Sequence, residues 1–500
     1  ACESNDKARH LLHRSGPLSD GGSGRHTMRK VLVYLWFDVE DYVTPDADEP
    51  PKRIIDILSR HNVKATFKVV AEKLRALKER EREDVIGALS RMDVGYHLDT
   101  HSRHPTLYEY LADKDLKTGA AEFLRRESDG YNLVKNTLNR QLSCFGHPGP
   151  TWAPQVYPAL REMGIPVYLD ETSILNLDDS PYWYCNVLNL NGAGRNFINL
   201  DYFFEQPDGL EKMKRRFKAI HKRLSRRGGA ISILFHLHTI VNRQFWDEVN
   251  FARGRNPPSH MLVRPLRQPP EVTDRAYRDF EELVKYMKSF DNIQFITAQD
   301  AASIFQDTST RLVINSDTLV KLAEKTVREI RHQKVDDAYL SPAQIFYIAT
   351  MAAAAYADSN VFPTELTPSQ PLGPLSSNRT RGPRSLSTRT LLEASRNALQ
   401  TIDETGYVPN EIRIGESILT PEDYLATVCS LLVLFLRKRR LPDRIVVKNG
   451  TLAQKRYVNS RAFAKACRWA MLPKDFKAPK ILQQALLQTW TLKPAAVVSA

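Results

Sequence analysis

The sequence predicts an α/β protein: a (β/α) barrel followed by a mainly helical repeat domain. Three observations predict it. Short apolar runs alternate with helical patterns between residues 29 and 305, as parallel βα units require. The runs are rich in β-branched and aromatic residues and apolar throughout, so they read as strands buried on both faces. Beyond about residue 310 the strands nearly vanish and proline-marked units recur. Five hundred residues also exceed one ordinary core, which favours at least two domains.

Residues 28–37 form the first apolar run, after a polar tail, and read as a strand. Residues 50–60 carry helical spacing, with Ile54, Ile55 and Leu58 on one side. Residues 63–70 read as the second strand, 71–92 as a heavily charged helix and 94–97 as the third strand. The alternation continues with a strand at 142–145, a helix at 154–163, a strand at 167–169, a helix at 210–226 and a strand at 231–235. A helix at 280–290 and a strand at 293–296 close the series. So many βα units suit a barrel better than an open sheet. Residues 241–272, with Arg253, Pro257, Pro258, Pro265, Pro269 and Pro270, read as a long loop or insertion.

In the second region Pro409, Pro442 and Pro473 each follow a helical run and open a short extended segment, 33 and 31 residues apart. Phe362-Pro363 opens the series, and 367–388, rich in Pro, Ser, Thr and Arg, reads as an inserted flexible loop. Such units bury their apolar faces only by stacking on one another. The expected organisation is thus 1–28 as a disordered tail or upstream extension, with Met28 as a start site, 29–305 as the barrel, and 310–500 as a helical repeat accessory domain.

Charge is unevenly placed. Residues 431–500 hold 15 of the 71 Lys and Arg but 2 of the 58 Asp and Glu, so the whole excess of +13 sits there and the rest of the chain balances. The catalytic region therefore has no general attraction for nucleic acid, and no interleaving of aromatic and basic residues recommends such a partner. The basic end suits an anionic cell-wall polymer or a solvated surface. Cys2, Cys144, Cys185, Cys429 and Cys467 are far apart and odd in number, with no CxxC pair; they indicate neither a disulfide framework nor a zinc finger. No run approaches the ~18–20 apolar residues of a membrane span, and 424–436 reads as a buried helix with a charged end. With no signal-peptide core in the polar first residues, the default expectation is a cytoplasmic protein.

Three clusters of chemistry-bearing residues each follow a strand. Asp38, Glu40 and Asp41 end the first. Strand alternation puts Asp38 and Glu40 on one face, so one can bind a cation while the other takes a proton from water. His97, His101 and His104 fall together after the third strand, in a chain with 13 histidines, and imidazole is a ready ligand for zinc, iron, cobalt and nickel. Four-residue spacing sets His97 and His101 one turn apart if the loop curls helically. His236 closes the run at 231–235, with His238 two residues on. Singly, these read equally as an acidic loop, a His-rich loop and a rim histidine. Together, on strand ends that converge in a parallel barrel, two histidines and a carboxylate make an open metal site. A second carboxylate and a separate histidine can then serve as base and acid.

The motifs and their order resemble the polysaccharide-deacetylase family, also called the NodB homology domain or carbohydrate esterase family four, across about residues 29–305. Residues 31–38 resemble its first motif, a strand ending in Phe-Asp. His61-Asn-Val-Lys-Ala-Thr-Phe-Lys-Val69 resembles its second strand, Val94-Gly-Tyr-His97 with Thr100-His101 its second motif, and Leu234-Phe-His236 its final motif. The resemblance implies a distorted (β/α) barrel, Asp38 as catalytic base, a carboxylate with His97 and His101 as metal ligands, and His236 as catalytic acid. The ligand is placed on Glu40, which shares a face with Asp38, with Asp41 as the alternative. The family's third motif carries an Arg before Pro that orients the base. Here Phe145-Gly-His147-Pro148 has none, so either His147 substitutes or the orienting role is lost; His147 and Trp152 are the expected substrate-binding pair. His104 and His238 are extra, the alternative ligands if the register is shifted. The implied cofactor is a divalent metal, zinc first, with cobalt, nickel or iron as alternatives.

Val408-Pro-Asn-Glu-Ile-Arg-Ile-Gly415 faintly resembles pseudomurein-binding repeats, which implies a wall-polymer-binding module beside the hydrolase. The resulting expectation is a metal-dependent hydrolase of non-peptide C–N bonds, acting by N-deacetylation on a polysaccharide or a related small amide or imide. The alternative is a catalytically inactive glycan- or cell-wall-binding protein, motivated by the lost Arg.

Overall fold

The computed structural model describes residues 29–170, 172–191, 194–377, 382–439 and 441–497; the expected tail at 1–28 lies outside them. The first region is built on β1 (Val31–Val39), β2 (Thr66–Val69), β3 (Asp93–Tyr96), β4 (Cys144–Phe145), β5 (Val167–Asp170), β6 (Tyr182–Tyr184), β7 (Val187–Asn191), β8 (Phe197–Asn199), β9 (Gly229–His236) and β10 (Ile293–Phe295). Around them pack α1 (Glu49–Arg60), α2 (Ala71–Glu79), α3 (Glu83–Leu89), α4 (Leu107–Leu111), α5 (Leu116–Leu138), α6 (Val156–Glu162), α7 (Gly209–Leu224), α8 (Trp246–Phe251), α9 (Pro270–Lys288) and α10 (Ala298–Ile304). The sheet runs β6-β7-β5-β4-β3-β2-β1-β9-β8, with β10 also on β1, and its pairings are parallel apart from those of β6. Curled and ringed by helices, it is a distorted (β/α) barrel.

The strand at its centre, β1, explains its own composition. It pairs with β9 from Val31 to Asp38, and on its other edge with β10 at its start and β2 at its end. All nine residues are buried, so both faces must be apolar. Val31, Val33, Leu35, Phe37 and Val39 enter the core between sheet and helices. Leu32, Tyr34 and Trp36 enter a second core with Cys144, Leu234 and Ile296, the barrel interior. Asp38 and Glu40 continue this second series, so strand parity aims both carboxylates over the interior's upper end.

Differences from the sequence reading have local causes. The helix expected at 71–92 is two helices, because the chain turns at Glu81, whose φ is 55°. The late helix begins ten residues early, at Pro270, a proline suited to a first helical turn. Residues 241–272 are not simply a loop: they hold α8 and help build the site.

The second region contains β11 (Ile314–Asn315), α11 (Ser316–Arg328), β12 (Gln333–Val335), β13 (Ala338–Leu340), α12 (Pro342–Ser359) and β14 (Glu365–Leu366), then β15 (Ser385–Ser387), α13 (Thr388–Thr405), β16 (Ile412–Ile414), β17 (Ser417–Leu419), α14 (Pro421–Lys438) and β18 (Arg444–Val446). The two sets are the same unit twice. A short strand leads into a helix, a tight hairpin follows, and a second helix ends in a strand that returns antiparallel to the first. Leu340-Ser341-Pro342 and Leu419-Thr420-Pro421 occupy the same place, with Ser341 and Thr420 capping the helices that follow. The repeat therefore differs from the expected series. Pro363 and Pro442 are equivalent, whereas Pro409 precedes a hairpin and Pro473 lies outside both units. Segment 424–436 is the interior of α14, and no helix among the described residues is long and apolar enough to cross a membrane.

The last stretch does not stay with these repeats. It contains α15 (Ser460–Ala466), α16 (Pro479–Leu487) and β19 (Lys493–Pro494). β19 adds antiparallel to β6 at the barrel sheet's edge, and Phe463, Ala466, Leu472, Ile481, Ala485 and Leu492 are buried in the barrel's outer core. A split at 310 thus separates residues that share one core.

Candidate active site

The strand ends meet as the register demands. Asp38 lies opposite His236 on β9 and opposite Lys68 on β2. His97 follows directly on β3. The loop beyond it turns through left-handed backbone at Leu98 and His101, with φ of 66° and 58°, rather than curling into a helix, and brings the His97 and His101 rings to 5.0 Å between centroids.

Glu40 sits between them. Its Oε2 lies 3.3 Å from His97 Nε2 and 3.0 Å from His101 Nε2; Oε1 accepts from Trp246 Nε1 at 3.1 Å and lies 3.3 Å from His238 Nε2. The outward nitrogens are engaged. His97 Nδ1 donates to the Gly146 carbonyl at 2.7 Å. His101 Nδ1 lies 2.8 Å from Ser102 Oγ, which donates to Asp247 Oδ2. These partners fix the tautomers so that both Nε2 lone pairs face the Glu40 carboxylate. Lone pairs and a carboxylate packed together out of water repel one another unless a cation or proton lies between them. The three ligand atoms lie within 4.8 Å of one another, and this donor set fits a divalent ion with an open position. Burial keeps His97 below the usual imidazole range. Burial also lowers His101, but Glu40 outweighs it and, without an ion, draws that ring towards protonation.

Asp41, the alternative ligand, is turned away. Its Oδ1 accepts from the Val43 and Thr44 amides and its Oδ2 from Asn242. His104 is also elsewhere, held by Glu109 at 2.6 Å and the Phe251 carbonyl. His238 is near: it is buried with Nε2 against Glu40, and its Nδ1 has no hydrogen-bond partner among the described residues.

Beside this cluster, Asp38 is 1% exposed, with Oδ1 2.9 Å from Lys68 Nζ and Oδ2 3.4 Å from His236 Nε2. Burial pushes its carboxyl up, but Lys68, His97 and His236 more than offset that and hold it below the usual range. His236 behaves inversely. Burial lowers it, and Asp201, 2.8 Å from Nδ1, reverses the effect and raises it well above an ordinary imidazole. A carboxylate drawn towards its ionised form thus faces an imidazole drawn towards its protonated form, the two set apart by their surroundings.

Lys68 and Asp201 carry no signal in the sequence, Lys68 reading as one more strand residue and Asp201 as one more loop acid. Lys68 is the cation beside Asp38, where the resemblance implies an Arg. A Cβ at Gly146 would come within 2.4 Å of Lys68 Cδ and Nζ, so the glycine after β4 leaves room for a cation from β2, two strands along the sheet. His147 does not take that place: it is buried, with Nδ1 3.0 Å from the Tyr168 hydroxyl. Trp152 is a core residue, fully buried, donating to the Tyr157 hydroxyl and packed on Tyr184. Neither lines the cavity above the site, about 730 Å³ in volume, which Glu40, His101, Asp201, His236 and Phe245 border.

No protein-family model and no curated protein matches the chain. Solved structures do. A protein from Mycobacterium smegmatis assigned as a polysaccharide deacetylase is 15% identical, covering 59% of this chain and 94% of its own, with a TM-score of 0.36. The Puue allantoinase is 14% identical, covering 57% and 93%, with a TM-score of 0.38. The polysaccharide deacetylase of Bacillus cereus is 14% identical, covering 54% and 92%, with a TM-score of 0.29. The chain is similar in structure to proteins of the polysaccharide-deacetylase type.

Proposed function

We propose that the chain is a metal-dependent hydrolase of non-peptide amide bonds, removing an acyl group from the nitrogen of a sugar or a related amide. The observation that carries this reading is the placement of Asp38 3.4 Å from His236 and beside the Glu40, His97 and His101 cluster, with Glu40, His101 and His236 lining one cavity.

Glu40, His97 and His101 would hold the ion, with zinc first among the candidates and cobalt, nickel or iron as alternatives; when bound, it acts as a Lewis acid on water and on the amide carbonyl. Trp246 and the Ser102–Asp247 pair orient the ligands. Lys68 occupies Asp38 Oδ1, which leaves Oδ2 to accept a proton from the attacking water. As the C–N bond breaks, His236 gives its Nε2 proton to the departing nitrogen, and Asp201 holds the ring in place through Nδ1. Water and amide become a carboxylic acid and an amine, and the proton taken up by Asp38 passes to His236 Nε2, 3.4 Å away, which restores both groups.

Acetate release from chitin oligomers, peptidoglycan and small cyclic imides, measured with metal supplied, tests the reading. Release that disappears in Asp38→Asn and His236→Ala supports it. A protein that binds these glycans but cleaves none of them is the binding-only alternative and would overturn it.

A further inference from the structure

The cavity above the site is closed on one side by a segment far away in sequence. Residues 462–471 line it, bringing Lys465, Arg468 and Trp469 to the same space as Glu40 and His236. This wall is bolted in place. The Asn459 amide donates to the Ile174 carbonyl and the Asn176 amide to Tyr457, while Arg253 and Gly254 donate to the carbonyls of Ala470 and Met471. Trp469 lies against Gly149, where φ is 47° and an added Cβ would meet the indole at 2.6 Å. The barrel loop is therefore shaped to admit that ring.

The charges on the wall are unspent. Asp201 is paired with His236 and Glu40 with imidazoles, while Asp247 accepts from the neutral Ser102 hydroxyl with His101 Nδ1 at 3.8 Å. Lys465 and Arg468, one helical turn apart and exposed, make no ion pair among the described residues. Asp247 and the exposed Glu248 are the lining acids without an ion-pair partner of their own on the wall.

We propose that Lys465 and Arg468 form a subsite for an anionic substituent, a carboxylate or phosphate, on a substrate whose ring rests on Trp469. The proposal rests on the hydrolase reading of this cavity and narrows it to acidic amides. Charge-assisted contacts of this kind give about a tenfold preference over a neutral parent.

Calorimetry on metal-free protein at low salt tests it with N-acetylglucosamine, its 6-phosphate and N-acetylmuramic acid. The expected result is that at least one acid binds about tenfold tighter than the neutral sugar, and that the ratio falls to one in Lys465→Ala/Arg468→Ala but survives in Lys465→Arg. Which acid is preferred separates phosphate from carboxylate. Equal or unmeasurable binding of all three, or a ratio unchanged in the double variant, would overturn the subsite. The hydrolase reading fails separately: a charge preference without any acetate release removes the hydrolase and leaves the subsite, and release with no charge preference does the reverse.

Discussion

Lys68 and Asp38 face each other across neighbouring parallel strands, Nζ to Oδ1 at 2.9 Å, both about 1% exposed. Its Nζ also lies over the Trp36 ring, 4.4 Å from the centroid, so the charge is held between the ring face and the carboxylate. Breaking such a pair leaves a buried charge alone, at a cost of about 3–5 kcal/mol.

Lys68→Met is therefore expected to lower both stability and activity. Lys68→Arg separates the two: it retains the charge, and because Gly146 provides the space, it should recover most of the folded stability. With Lys68 replaced by Met, Asp38 loses its strongest lowering partner and its carboxyl titrates higher, so the acidic limb of the rate profile moves to higher pH. An unchanged acidic limb in a folded Lys68→Met variant contradicts this role.

Asp201→Asn tests the other half of the pair. Asp201 is what keeps His236 protonated against the effect of burial. Without that charge the imidazole gives up its proton at lower pH, so the alkaline limb moves acidward. Turnover should fall by about a hundredfold with little change in KM. A fall in KM alone, or an alkaline limb that does not move, argues against His236 as the acid.

Glu127 predicts a pH-dependent stability away from the chemistry. Burial raises its carboxyl to about 7, although Tyr96 and the Asp99 amide donate to it. Its folded value is raised above the unfolded one. The stability it allows is therefore complete below about pH 4.5 and is lost as pH rises towards 7. Chemical denaturation of the wild type should show a loss of about 3 kcal/mol from this group between pH 4.5 and 8. In Glu127→Gln that dependence should vanish, and identical slopes in both proteins would contradict it.

The shared core makes a further prediction. A chain ended at residue 310 loses Phe463, Leu472, Ile481 and Leu492 from the barrel's outer layer, each contributing about 2 kcal/mol by burial. The truncated protein should lose cooperative thermal unfolding. A soluble fragment melting like the full chain would show the barrel to be independent after all.

What the sequence made legible follows the strand. Asp38, Glu40, His97 and His236 end apolar runs, and in a parallel barrel one end of every strand faces the same way, so their meeting could be read without coordinates. Lys68 could not, because its partner is set by register between strands that no local pattern encodes. Asp201 and Trp246 lie in loops whose course depends on what they pack against. The repeats were visible as prolines, but the true unit is set by strand pairings across each helix pair, which places Pro363 with Pro442 and leaves Pro409 and Pro473 elsewhere. Trp152 lies in the core rather than on the cavity, a difference the sequence does not carry, because an aromatic residue after a strand looks the same in either place. The C-terminal wall gave no sign, since α15 reaches the site only by packing back across the barrel.

The most direct test of the central claim is the metal content of the purified protein after dialysis against a divalent ion, by elemental analysis. One equivalent per chain is expected in the wild type, and close to none in Glu40→Ala and His101→Ala variants that retain their circular dichroism. A wild type that holds no ion, or variants that hold as much as the wild type, would contradict it.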